Sequence, residues 1–426
     1  MKTLFKRLIT DFHESPPKQQ IIPRDYAIPL NSRKIISLIG VRRSGKTFLL
    51  YALIQQLRQQ IDPRNIVYIN FEDDRLYPLT LKDLDDLIEA YFELYPDKRE
   101  DKLYFFLDEI QNVSDWERFV RRIYDTLNLQ IFVTGSSSKL LSFEIATSLR
   151  GRTLSFEIFP FSFKEYLAYK EIDINFHSSK SLSFIKNAFS TYLQEGGFVE
   201  TFDEPNDIQK KILRDYLDLI VYRDIIERYQ IKNRAFLKHL IKYAFSNIST
   251  LISLNKLYNE YKSDSYKLSK DTLYNYLTYL EEVYALFTVP IFRNSVREEQ
   301  RHPRKIYAID TGFKSLFETS ISADYSKLYE NIAFLHLRHQ TREVYYFKQH
   351  QEIDFYCRLD QPQLINISYD ITGFETKRRE INALQEGMRY FKLREAILIT
   401  QDQEESVKID GQTIKIKPLW KWLLEN

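Results

Sequence analysis

Residues 40–47 read GVRRSGKT, a glycine, four residues, then Gly-Lys-Thr. The segment stands between an apolar strand-like run, KIISLI (34–39), and a helix-like run, FLLYALIQQLRQQ (48–60). A glycine turn in that setting points its backbone N–H groups at phosphate oxygens, and the helix behind it adds its positive end. The chain holds only 10 glycines in 426 residues, so two at the required spacing rarely arise by accident. In this role Gly40 and Gly45 permit the tight turn, and Val41, Arg42, Arg43 and Ser44 form the rest of the cradle. Lys46 is placed to reach the β- and γ-phosphates of a nucleotide, and the Thr47 hydroxyl to ligate Mg²⁺.

The surrounding pattern sets the fold. NIVYINF (65–71), LYFFLDEI (103–110) and LQIFVTG (129–135) are short apolar runs separated by longer amphipathic ones such as LTLKDLDDLIEAYFELY and WERFVRRIYDTL. Strands without alternation, interleaved with helices, are what a parallel sheet covered on both faces requires. The run LYFFLDEIQ ends in Asp108-Glu109, at the sheet edge where ligands of such folds sit. There Asp108 is expected to hold Mg²⁺ through water and Glu109 to orient and deprotonate the attacking water. At the end of the next strand Thr134 and Ser136 both offer a hydroxyl to the γ-phosphate or the water, and the sequence does not choose between them. Arg150 and Arg152, around Gly151, are candidates for an arginine that stabilises transition-state charge across a subunit boundary, which implies a homo-oligomer.

These motifs, with SLRGR and FPFSFKEYL, resemble the AAA-type ATPases that carry a C-terminal domain of unknown function, DUF4143. QEGGFVE (194–200), LDLIVYRDIIER (217–228) and KIYAIDTGF (305–313) extend the resemblance over nearly the whole chain. It implies ATP and Mg²⁺ as ligands and a P-loop NTPase fold, AAA+-like, of the archaeal ATPase branch near the STAND NTPases. It supplies no macromolecular target.

Five segments are expected. Residues 1–30 are a lead-in with an amphipathic helix, 31–160 the α/β ATPase core, and 161–235 a helical, lid-like region. Residues 236–310 look like a winged helix, with three short helices and then a strand–turn–strand. Residues 311–426 resemble a restriction-endonuclease-like α/β domain with Asp354 and Glu330 as its acids. Where such a nuclease has Glu-x-Lys, the sequence is read as Ser368-Tyr369-Asp370, so cleavage is not expected. The winged helix would reach DNA through Lys270, Asp271, Tyr274, Asn275, Thr278 and Tyr279, or through the basic turn holding Arg293, Arg297, Arg301, Arg304 and Lys305.

Composition narrows the partners. The net charge of +2 gives no bulk attraction for nucleic acid or membrane. A lone cysteine, Cys357, excludes an internal disulfide framework. No apolar run is long enough to span a bilayer, no secretory core opens the chain, and a cytoplasmic setting is expected. The expected function is ATP turnover coupled to remodelling of a bound macromolecule; the alternative is a STAND-like switch with little turnover.

Overall fold

The structure is a computed structural model describing residues 1–15, 21–135, 149–263, 269–317 and 324–425. Its contacts divide the chain into two compact units, Met1–Phe159 and Pro160–Asn426.

The first unit is built on a five-stranded sheet of order β2-β3-β4-β1-β5, with β1 Ile35–Ile39, β2 Ile66–Asn70, β3 Leu103–Asp108, β4 Leu129–Gly135 and β5 Thr153–Glu157. Every pairing is parallel. β1 and β3 are buried along their whole length, which explains their unbroken apolar sequences. α2 (Lys46–Arg58) lays Leu50, Leu53, Ile54 and Leu57 on Ile36, Leu38, Phe106 and Phe132 of the sheet. Phe106 and Phe132 stack with ring centroids 4.4 Å apart. α1 (Lys2–Glu14) buries Phe5, Ile9 and Phe12, one helical stripe, and its lysines pair with Glu89 and Glu93 of α3 (Leu84–Leu94).

Register fixes what meets at the sheet edge. Ile39 lies opposite Gly135, and Asn70 opposite Asp108. The turn after β1, the end of β3 and the end of β4 therefore share one edge. Ile35 lies opposite Thr153, so Arg150 and Arg152 precede β5 at the other edge. Five residues of strand separate the two edges, roughly 16 Å.

The second unit opens with helices Phe163–Tyr169, Ser179–Glu195 and Asn206–Leu219, the last continuing into wider, π-type turns over Ile220–Glu227. Helices Arg234–Ser246, Leu254–Ser263 and Lys270–Glu282 follow, interleaved with a small antiparallel sheet of order β6-β8-β7 (Thr250–Ile252, Arg304–Ala308, Leu286–Val289). A six-stranded mixed sheet of order β13-β14-β12-β11-β10-β9 completes the unit, with β9 Val344–Lys348, β10 Glu352–Cys357, β11 Gln363–Ile367, β12 Glu395–Thr400, β13 Glu405–Ile409 and β14 Gln412–Pro418. The helix Phe374–Phe391 packs Ala383, Leu384 and Met388 on its core. Among the described residues no helix is long and apolar enough to cross a membrane.

Candidate ATP site

The loop between β1 and α2 holds the required conformation through its glycines. Gly40 has φ +149°, and a Cβ there would stand 2.2 Å from the Ile158 carbonyl oxygen. Gly45 precedes α2 in the left-handed region, φ 90°. Lys46 is only 5% exposed, and its Nζ donates to the carbonyls of Gly40 (3.1 Å) and Val41 (2.9 Å). Ser44 is buried in the same turn, and its hydroxyl has no hydrogen-bond partner among the described residues. Arg24, from the lead-in, donates to the carbonyls of Ser44 and Phe159, both at 2.8 Å, and straps the loop from outside.

Asp108 is fully buried at the tip of β3. It accepts hydrogen bonds from Thr134 on one oxygen and from Tyr68 (2.9 Å) on the other, and also from Thr47. Burial holds its pKa above the ordinary carboxylate range, the Glu109 charge adds to this, and the three hydroxyl bonds oppose it. Glu109 follows in the left-handed region, φ 53°, a strained conformation for this residue type. Its N–H donates to Thr134 Oγ1 (2.9 Å), and its carboxylate takes a hydrogen bond from Gln111. Glu72, past the end of β2, joins the group. Burial first, then the Glu109 charge, raise its pKa, while Arg42 at 3.6 Å opposes the shift.

The structure thus brings Lys46, Thr47, Asp108, Glu109 and Thr134 to one edge. The Thr134 hydroxyl donates to Asp108 and accepts from the Glu109 N–H, so it holds the Asp108 carboxylate and the Glu109 backbone. Ser136 lies outside the described residues. Arg152 grips Asp125 with two bonds, 3.0 and 3.1 Å, at the opposite edge, and Arg150 is exposed beside it with φ 51°. Neither reaches the phosphate loop of its own chain. Tyr68, Glu72, Gln111 and Arg24 escaped the sequence reading because each comes from a different element and no short motif links them.

The second expected centre looks different from its reading. Glu330, Glu352 and Asp354 do converge, but on Lys305: its Nζ lies 3.0, 3.0 and 2.6 Å from their oxygens, and the side chain is only 3% exposed. Burial alone would lower the Lys305 pKa, but the three carboxylates raise it well above its ordinary value. β11 ends at Ile367, so Ser368-Tyr369-Asp370 lie past the strand. The side chain beside Asp354 is Asn366, whose Oδ1 accepts from the Asp354 N–H at 2.9 Å. The side chain next to Asp354 thus lies two positions before Ser368, the residue picked out in the sequence. Lys305 is also removed from the basic turn, in which Arg293 caps the carbonyls of Phe292 and Lys348 and Arg304 bonds Thr288.

A parallel sheet with the Gly-Lys-Thr turn after one strand and Asp-Glu at the tip of another defines an AAA-type P-loop nucleotide-binding protein. Comparison with known proteins agrees: residues 32–167 match the AAA domain model AAA_14. The chain belongs to the same family as the uncharacterized protein MJ1544 of Methanocaldococcus jannaschii, to which it is 37% identical over 99% of its length and 96% of that protein's. An uncharacterized protein of Haemophilus influenzae is 33% identical, over 92% of this chain and 94% of that one. Residues 186–322 match a domain of unknown function, DUF8612, where the sequence resemblance had named DUF4143. Among solved structures, the Walker-type ATPase PABY2304 of Pyrococcus abyssi covers 74% of this chain and 95% of its own at 14% identity, with a TM-score of 0.40.

Proposed function

We propose that the protein hydrolyses Mg-ATP at residues 40–47 and that nucleotide state governs its second unit. The observation that carries this reading is the buried junction at Asp108, where Thr47 of the phosphate loop, Thr134 of β4 and Tyr68 of β2 all donate to one carboxylate. That network ties the loop to the strand bearing Glu109, so binding and chemistry share one rigid frame. The unpartnered Ser44 hydroxyl and the enclosed Lys46 ammonium suit phosphate oxygens. Val41, Arg42 and Arg43 complete the backbone cradle with Gly40 and Gly45.

Mg²⁺ fits the same residues. Asp108 and Glu109, both buried, and the more exposed Glu72 bring three carboxylates to one edge, a concentration of negative charge that a divalent cation would offset. Thr47 and, through water, Asp108 would hold the ion, which would neutralise charge developing on the β- and γ-phosphates. Glu109 takes the proton of the attacking water, and Gln111 holds its carboxylate in place. Of the two arginines, Arg150 is the one we assign to a neighbouring subunit's γ-phosphate, because Arg152 is engaged by Asp125.

Steady phosphate release tests this against the switch reading. An enzyme of this type should show multiple turnovers with Mg²⁺, on the order of 10⁻⁴–10⁻³ s⁻¹ without an arginine from a neighbour. Retention of one nucleotide with less than one turnover would favour the STAND-like alternative.

The second unit supports a docking role more than a nuclease role. The order of helices Arg234–Ser246, Leu254–Ser263 and Lys270–Glu282 with the β6-β8-β7 sheet is that of a winged helix. Its DNA-facing helix is partly covered: Tyr279 stacks on Tyr229 at 3.7 Å between centroids. Arg297 and Arg301 are the exposed arginines left in the basic turn. If DNA binds here, the log–log salt slope should be no steeper than about −2, and Arg297→Glu with Arg301→Glu should abolish it. A steeper slope, measured by fluorescence anisotropy, would place the DNA elsewhere. The nuclease-like centre, with Lys305 among its acids and Asn366 beside Asp354, should leave DNA uncut.

A further inference from the structure

Residues 23–28, ahead of β1, alternate in burial as an extended chain does. Pro23, Asp25 and Ala27 are exposed, whereas Arg24, Tyr26 and Ile28 turn toward the protein. Ile28 is buried in the core shared by the sheet and α2, and Tyr26 packs against the same cluster. The alternation therefore puts a cation, Arg24, at an inward position where the pattern calls for an apolar residue.

Three contacts hold it there. Nη1 donates to the Ser44 carbonyl and Nη2 to the Phe159 carbonyl, both at 2.8 Å. The guanidinium carbon lies 5.4 Å from the centre of the Tyr26 ring, within cation–π range. The Tyr26 hydroxyl in turn accepts the Phe159 N–H at 2.9 Å, so Arg24, Tyr26 and Phe159 brace one another. A planar guanidinium can serve two carbonyls at once from fixed directions, which a lysine ammonium on a flexible stem cannot.

The Ser44 carbonyl belongs to the phosphate loop, and it shares a planar trans peptide with the Gly45 N–H. The two groups of such a peptide point in opposite directions. Holding the carbonyl toward Arg24 therefore aims the Gly45 N–H the other way, as a phosphate cradle requires. Left alone this peptide could turn readily, because Gly45 stands at φ 90°, a region open to glycine. A Cβ on Gly45 would lie 2.8 Å from Arg24 Nη1, so the guanidinium is packed directly against the peptide. A cation on the carbonyl also polarises the peptide and makes its N–H a stronger donor.

We propose that Arg24 is a positioning residue of the ATP site, acting on the phosphates through the Ser44–Gly45 peptide, which it orients and polarises. This rests on the ATP reading and adds to it a residue from outside the phosphate-loop motif.

The test is calorimetric titration of Mg-ATP and Mg-ADP into the full-length parent, Arg24→Lys and Tyr26→Phe, with steady-state phosphate release beside it. Arg24→Lys keeps the charge and loses the fork, and should weaken nucleotide binding by about tenfold to a hundredfold. The factor should be the same for both nucleotides, because the backbone cradle holds phosphates that ATP and ADP share. Its kcat at saturating ATP should stay within about twofold of the parent's, the mark of an interaction made equally before and in the transition state. Tyr26→Phe removes only the hydroxyl that steadies Phe159 and should weaken binding by about threefold to tenfold. Thermal unfolding without nucleotide shows which variants are folded; if Arg24→Lys is not, Tyr26→Phe decides alone. A residue that merely supports the fold would lower the Tm and leave the nucleotide affinity of the folded protein unchanged. That result, or a loss confined to kcat, would overturn the proposal while the parent still binds ATP. A parent that binds neither nucleotide would instead fail the ATP reading, and the proposal with it.

Discussion

Glu109→Gln is expected to leave Mg-ATP binding intact and to slow hydrolysis by roughly 10²–10⁴, the usual weight of a positioned general base. The separation of binding from chemistry follows from the geometry. Glu109 is held by its backbone, through φ 53° and the N–H bond to Thr134, neither of which depends on the side chain. Gln111 donates to the carboxylate, and an amide oxygen at the same place still accepts that bond. What the amide cannot do is take a proton from water. Single-turnover phosphate release beside calorimetric binding checks both halves. An unchanged rate would remove Glu109 from the chemistry, and a parallel loss of affinity would make it a structural residue.

Lys305→Met should lower the stability of the second unit by about 3–5 kcal/mol near neutral pH, the scale for removing one partner of a buried charge group. Glu330, Glu352 and Asp354 would be left together, with Glu330 already pushed upward by burial. Tyr307 bonds Glu330 at 2.7 Å and cannot replace the lost charge. The pH dependence has a definite sign. Without the ammonium, the folded-state pKa of Glu330, already above its unfolded value, rises further. Stability in the variant is then retained at low pH and lost as pH rises through the folded-state pKa of Glu330. The gap between variant and parent protein should therefore narrow from about pH 7.5 to about pH 5, read from urea midpoints. A gap that stays constant would mean that Lys305 contributes packing and not charge.

These residues also show where sequence reading stops. The phosphate loop and Asp108-Glu109 were legible because each is a short local pattern whose chemistry dictates both residue type and flanking element. Tyr68 was not, because an inward tyrosine on an apolar strand carries no local mark of the carboxylate it meets. Lys305 was read as part of a basic turn that would reach DNA, although a clue to its burial existed. In RKIYAI, Lys305 and Tyr307 are two apart on β8 and share a face, and both meet Glu330. The sequence run QLINISYDI reads as one strand, whereas β11 ends at Ile367 and leaves Ser368 beyond it, since strand ends are set by partners that the sequence does not display. Arg152 looked like a free arginine because its partner, Asp125, lies in the preceding helix and not in the motif.

The central claim, that residues 40–47 bind Mg-ATP, is tested most directly by calorimetric titration of the full chain and of Lys46→Ala. The Lys46 ammonium is enclosed by the loop, within 3.1 Å of two of its carbonyls, and no other lysine belongs to the motif. The parent protein should bind ATP in Mg²⁺ at one site, and Lys46→Ala, still folded by circular dichroism, should show at least a hundredfold loss, because the phosphates lose their main cation. Equal affinity in the two proteins would contradict the claim.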